Sequence, residues 1–150
     1  MLIRVLMPGV LLSVCIFVHA LVMTVILRGL SRSAERKLSS SWGALWLLIA
    51  VALCIVTAHL IEIGIWASFM AWQHVFADFR ISFYFSAVTY TTVGYGDIVL
   101  PDPWRLLAAA EALTGILMCG WSTALFFAIA TRVYSASRKN AVGFENMGRH

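Results

Sequence analysis

Thr91-Thr92-Val93-Gly94-Tyr95-Gly96-Asp97 decides how this 150-residue chain is read. The run is only modestly hydrophobic, it sits between apolar blocks, and its glycines stand at alternate positions. In an extended strand successive carbonyls point to opposite sides. A row of carbonyls on one side therefore needs backbone in mirror-image regions, which glycine adopts at little cost. Gly94 and Gly96 stand where such a row requires them. The carbonyl oxygens of Thr92, Val93, Gly94 and Tyr95, with the Thr92 hydroxyl, can then form a stack that replaces the water shell of a cation. One chain supplies one side of that stack, so several copies must surround an axis.

The rest of the sequence explains how a polar strip is held. Hydrophobic residues make up 61% of the chain and charged residues 12%, about half the charged fraction of a soluble protein, and the mean hydropathy is +0.88. So short a chain cannot bury that much apolar surface in its own interior, which excludes a soluble globular fold and also disorder. Lipid is the solvent these numbers call for. Six tryptophans suit interfacial anchoring. The net charge of +4, from 11 basic and 7 acidic residues, lies between and after the apolar blocks, so it reads as a topology signal and not as a nucleic-acid patch. Cys15, Cys54 and Cys119 each sit inside an apolar block, with no CxxC pair and no histidine at metal spacing. No cofactor is expected beyond a permeant ion, and no catalytic set points to an enzyme.

Three stretches are long enough to cross a bilayer: Val5 to Leu27, Trp42 to Met70 and Leu106 to Thr131. At ~1.5 Å per residue each covers the ~30 Å hydrocarbon core. Phe79 to Tyr90 is too short to cross and is expected to be a re-entrant helix, capped by Asp78. Non-helical backbone at membrane depth is tolerated only when buried or lining a watery path, which the 91–97 run would satisfy. The short helix would aim its partially negative C-terminal end at the membrane centre. Arg28, Arg32, Arg36 and Lys37 follow the first span, and Arg132, Arg138, Lys139 and Arg149 follow the third. By the positive-inside rule both segments are cytoplasmic, which puts the N-terminus and the re-entrant segment outside.

Val18-His19-Ala20 is a poor cleavage site, so the first block is expected to be a retained helix and not a signal peptide. The expected organisation is an N-terminal transmembrane helix over 1–28, a cytoplasmic linker over 29–41, a pore domain over 42–135 and a short cytoplasmic tail over 136–150. Within the pore domain the outer helix spans 42–70, the short helix 79–90, the filter 91–97 and the inner helix 103–134. Ser39-Ser40-Ser41 is expected to cap the outer helix, and Asp102 the inner one with Pro103 at its first position. The fold class is all-α membrane protein, with no internal repeat.

On these residues the chain resembles the potassium channel pore family, and a short bacterial channel with one additional N-terminal helix. The likeness covers roughly Trp42 to Tyr134 and rests on TTVGYGD between a short helix and an inner-helix start. It implies a homotetramer in the plasma membrane, the bacterial inner membrane, with K⁺ coordinated by Thr92, Val93, Gly94 and Tyr95. Thr91, Gly96 and Asp97 would support the filter, Asp97 as a brace to the short helix. In some relatives a short-helix carboxylate pairs with this aspartate; here that position is Val88, a departure that implies slow closure at the filter, with Tyr84 as an alternative hydrogen-bond partner. The alternatives are a weakly selective cation channel and a subunit of a potassium uptake transporter, though transporters of that kind carry four imperfect filter loops in one long chain.

The resemblance also gives Gly115 the place of a hinge, with Gly120 a second flexible point; close helix packing is the competing role for both. Ile116, Cys119, Thr123 and Phe127 form one helical stripe that would line a cavity, with Phe127 as a hydrophobic constriction. Glu111 points ~140° from that stripe at ~100° per residue. His59 lies one turn from Glu62. Two readings stand for these groups: hydration of Glu62 at the membrane interface, or a network of His59, Glu62 and Glu111 supporting the pore, which would make gating sensitive to pH. The arginines at 28, 32 and 36 are juxtamembrane anchors for lipid and not a voltage sensor, because no span carries a charge ladder.

Overall fold

A computed structural model describes the backbone of residues 2–37 and 41–147 and the side chains of residues 6–30 and 42–136. Its helices are α1 (Leu2–Lys37), α2 (Ser41–Trp72), α3 (Phe79–Tyr90) and α4 (Arg105–Met147), with a 3-10 turn at Asp102–Trp104 before the last. No strand occurs among the described residues. The spans Leu6–Leu30, Trp42–Trp72 and Asp102–Ala136 are long and apolar enough to cross a membrane. At 12 residues α3 reaches only ~18 Å and cannot. The expected all-α architecture of three long helices and one short one is observed.

Local chemistry sets most boundaries. Asp78 has extended backbone and its carboxylate accepts the Arg80 N–H at 3.0 Å, which fixes the start of α3. Asp102 does not cap α4. Pro101 and Pro103 hold the chain in one tight turn first, Pro101 flanks that turn, and the Asp102 carboxylate instead meets Arg105 Nη2 at 2.7 Å on the surface. Two helices overrun their expected ends. α1 continues to Lys37, through most of the segment read as a linker, and α4 continues to Met147. Neither extension contains proline, and good helix formers such as Ala34-Glu35-Arg36-Lys37 favour continuation beyond the apolar region. Ser39 and Ser40 lie outside the described residues, as do the side chains of Arg32, Arg36, Lys37, Arg138, Lys139 and Arg149.

α1 and α4 run parallel, with α2 antiparallel to both. Leu11 and Cys15 of α1 join Ile63, Trp66 and Met70 of α2 and Leu107 and Met118 of α4 in one apolar cluster, which also holds Phe85 and Tyr90 of α3. Met23, Ile26 and Leu30 join Val51 of α2 and Ile129 and Val133 of α4 in a second. The first helix is thus packed into the fold. Its opposite face exposes Leu6, Val10, Val14, Phe17, Leu21 and Val25 at three- and four-residue spacing, an apolar stripe that packs on no other helix of the chain. Both faces are apolar, so hydrophobicity does not distinguish them in a bilayer; close packing and polar bonds must. Trp42 and Trp46 are exposed at the start of α2, and Trp72 at its end packs edge-on against Phe69. These aromatic ends are ~45 Å apart along the helix, close to the full thickness of a bilayer with its headgroups.

Candidate functional site

The loop after α3 begins as a helix cap. The Thr92 N–H donates to the Thr89 carbonyl at 2.9 Å and the Val93 N–H to the Val88 carbonyl at 3.1 Å. This is the bond pair of a Schellman motif, and Thr92 occupies the left-handed position where glycine is usual. The Gly94 N–H and the Thr91 hydroxyl also reach the Val88 carbonyl, at 3.2 and 3.3 Å. The last free carbonyls of α3 are therefore largely engaged by the loop itself.

Beyond the cap the backbone alternates in hand. φ is +61° at Thr92, +54° at Gly94 and +76° at Gly96, but not positive at Val93 or Tyr95. The two glycines behave as their spacing requires. Thr92 is the unexpected member: a β-branched residue in this region costs about 1–3 kcal/mol, which the Schellman bonds offset. Asp97 closes the loop. One carboxylate oxygen accepts the Tyr84 hydroxyl of α3 at 2.7 Å and the other the Ile98 N–H at 3.0 Å. Tyr84 thus links Asp97 to the short helix, and the Val88 side chain makes no such bond. In the single chain this loop is open: Val93 is 53% and Tyr95 71% exposed. A groove of about 480 Å³ lies alongside, lined by Phe85, Thr89, Thr92, Gly94 and Gly96 among others.

Tyr90, the last residue of α3, fixes the loop from below. Its carbonyl lies where a Cβ on Gly115 of α4 would be, 1.8 Å from that position. Its hydroxyl donates to Glu62 of α2 and meets Nδ1 of His59 at 3.0 Å. Glu62 is fully buried and also meets Nδ1 of His19 on α1 at 2.8 Å. Ser122 of α4 completes a ring, its hydroxyl 3.1 Å from His19 Nε2 and 3.2 Å from His59 Nε2. A polar layer joining all four α-helices thus divides the two apolar clusters and ends on the residue that starts the loop.

Residues 45–132, more than half of the chain, match a family described as ion channel. The chain belongs to that ion channel family. Two similar curated proteins are the voltage-gated potassium channel regulatory subunit KCNG2 of Homo sapiens and that of Rattus norvegicus, each 29% identical over 103 residues. The matched part is 67% of this chain but 21% and 20% of those proteins, so the chain spans about a fifth of their length. No solved structure gives a significant match. Moving an ion needs no bond made or broken, and this channel is not an enzyme.

Several expected residues take other places in the channel. His59 and Glu62 are joined, but Glu111 shares no hydrogen bond with either: its carboxylate is fully buried beside the Ser86 hydroxyl of α3. Glu111 therefore belongs to the contact between α4 and α3 and not to the ring. Gly115 serves close approach, and α4 passes through Gly115 and Gly120 without interruption. Ile116, Cys119, Thr123 and Phe127 are all exposed in the single chain, and Cys119 and Thr123 border a crevice between α4 and α2. The residues that sequence reasoning passed over are His19, Tyr90 and Ser122. Only His19 carried a signal, as an ionisable side chain in the middle of an apolar span.

Proposed function

We propose that this channel conducts K⁺ selectively and passively, as a homotetramer in the plasma membrane, through oxygens of Thr92, Val93, Gly94 and Tyr95. The observation that carries this is the alternation of backbone hand from Thr92 to Gly96. Such alternation turns successive carbonyls to one side, and four copies around an axis would make stacked oxygen rings. The exposed filter and its groove leave room for neighbouring copies, and the KCNG2 relatives bear potassium channel names. Thr91, Gly96 and Asp97 hold the strip in place. No cofactor is required. The end of the bundle carrying the filter also holds the N-terminal end of α1, and Arg28 and Arg132 lie towards the other end. With the basic end cytoplasmic, the N-terminus and filter face outward and the C-terminus inward. Cys119 and Thr123 line the inner cavity and Phe127 narrows its lower end.

Ion flux from liposomes containing the purified protein tests this reading. Wild type should pass K⁺ well above Na⁺, and cross-linking should stop at four chains. Gly94→Ala should abolish K⁺ flux. A Cβ there meets no atom within 4 Å in the chain, so the cost is backbone strain, about 1–2 kcal/mol in each subunit, and it falls on the ion-facing carbonyls. Equal K⁺ and Na⁺ flux, a ladder ending at two, or intact flux in Gly94→Ala would each overturn the proposal.

Tyr84→Phe should leave assembly intact and make K⁺ flux decay faster with time, because Asp97 loses its link to α3. The hydrogen bond to the Asp97 carboxylate, with that charge nearby, holds the Tyr84 phenol above its usual 10.0. A raised phenol favours the protonated folded form. The brace is therefore complete below pH 10 and lost as pH rises through the higher value. Flux that decays equally in wild type and Tyr84→Phe at neutral pH would contradict this role.

A further inference from the structure

We propose that His19, His59 and Glu62 form a divalent transition-metal site of the zinc class, inside the membrane and within one subunit. Their ligand atoms lie within 4.8 Å of one another. His19 Nδ1 is 2.8 Å from one Glu62 oxygen and His59 Nδ1 3.5 Å from the other. Two imidazoles and one carboxylate are a donor set that zinc takes in open, three-ligand sites. This proposal does not depend on which ion the pore passes.

Proton counting supports a cation here. The ring has five links, His19–Glu62, Glu62–Tyr90, Tyr90–His59, His59–Ser122 and Ser122–His19. With Glu62 ionised, each neutral imidazole, the Tyr90 phenol and the Ser122 hydroxyl contribute one proton apiece, four in all for those five links. The ring is one cation short. A divalent ion among His19 Nδ1, His59 Nδ1 and Glu62 removes the deficit. Both imidazoles then carry their proton on Nε2 and donate to Ser122, whose oxygen has two lone pairs to accept them. Ser122 thus supplies the outer hydrogen bonds that orient metal-binding histidines. Tyr90 keeps its bond to Glu62, so an ion bound here would tie α1 to the residue just before the filter. There is also a way in. His19 and Glu62 are fully buried, but His59 is 17% exposed and borders a crevice of about 290 Å³ between α2 and α4, lined also by Cys119, Ser122 and Thr123.

The test uses the 150-residue chain, purified in detergent and stripped with chelator, then titrated with Co²⁺ and afterwards with Zn²⁺. Wild type should bind one Co²⁺ per chain with the intense visible absorption of a low-coordinate site, and Zn²⁺ should displace it. His19→Gln and His59→Gln should each weaken binding by tenfold or more, on the order of the loss seen when metal-site support is removed. His74→Gln, in the exposed turn after α2, should bind as wild type does. His59→Cys should retain binding and add a sulfur-to-cobalt charge-transfer band, which decides the matter even if the glutamine variants do not fold. Absence of binding by wild type would mean that a fifth proton fills the ring and would overturn the proposal. So would binding unchanged in both glutamine variants, binding lost in His74→Gln, or no charge-transfer band in His59→Cys.

Discussion

Gly115→Ala is expected to abolish ion flux and to prevent the channel from assembling. A Cβ at residue 115 would lie 1.8 Å from the Tyr90 carbonyl oxygen and 2.7 Å from its carbon, whereas close carbon–oxygen contacts in proteins fall at ~3.3–3.6 Å. Neither partner can yield cheaply. The obstacle is backbone, not the end of a flexible side chain, and Tyr90 is held at its hydroxyl by Glu62 and His59. Inner helix α4 must therefore retreat from α3 by roughly 1.5 Å, a larger displacement than the overpacking that typically costs 1–3 kcal/mol. The retreat would be repeated in every subunit and would reposition the filter entrance each time. Gly120→Ala is the control, since nothing lies within 4 Å of its Cβ position. Size-exclusion chromatography and liposome flux on the two variants check the pair: loss for residue 115 and near-wild-type behaviour for residue 120 are expected. A conducting Gly115→Ala channel would show that the approach of α4 to Tyr90 is not needed.

Glu62→Ala should produce the second large loss. It removes the acceptor for the Tyr90 hydroxyl and the partner of His19 Nδ1, at a position that is fully buried. Breaking a buried pair of this kind costs about 3–5 kcal/mol. Glu62→Gln keeps an oxygen that can accept one of the bonds and should lose less. The expected order of thermal stability in detergent is wild type, then Glu62→Gln, then Glu62→Ala, with K⁺ flux falling in the same order because Tyr90 immediately precedes the filter. Equal melting of wild type and Glu62→Ala would show that the ring adds nothing to the fold.

How much of this could be read in advance follows from the range of each interaction. The short helix is legible at 79–90 because its length, its Asp78 cap and the glycine spacing after it are local signals, and the structure has it at Phe79–Tyr90. The three spans follow from apolar length alone. Helix ends beyond the membrane did not: nothing in 29–37 or 135–147 stops a helix, yet a change from apolar to charged residues reads as a boundary. The polar ring lay further out of reach, because His19 and Ser122 are 103 residues apart. Helical spacing places Glu62 near His59, but only tertiary packing decides that its second partner is His19 and not Glu111. The left-handed backbone at Thr92 was hidden for a different reason. A β-branched residue gives no hint of it, and the cap that stabilises it uses backbone groups that every sequence has.

The most direct test of the central claim is the reversal potential of the wild-type channel in a planar bilayer, with K⁺ on one side and Na⁺ at the same concentration on the other. Carbonyl rings built from Thr92 to Tyr95 predict a reversal potential displaced far towards the K⁺ equilibrium value. A reversal potential near zero would mean that the pore does not distinguish the two ions, and would contradict the filter assigned to these residues.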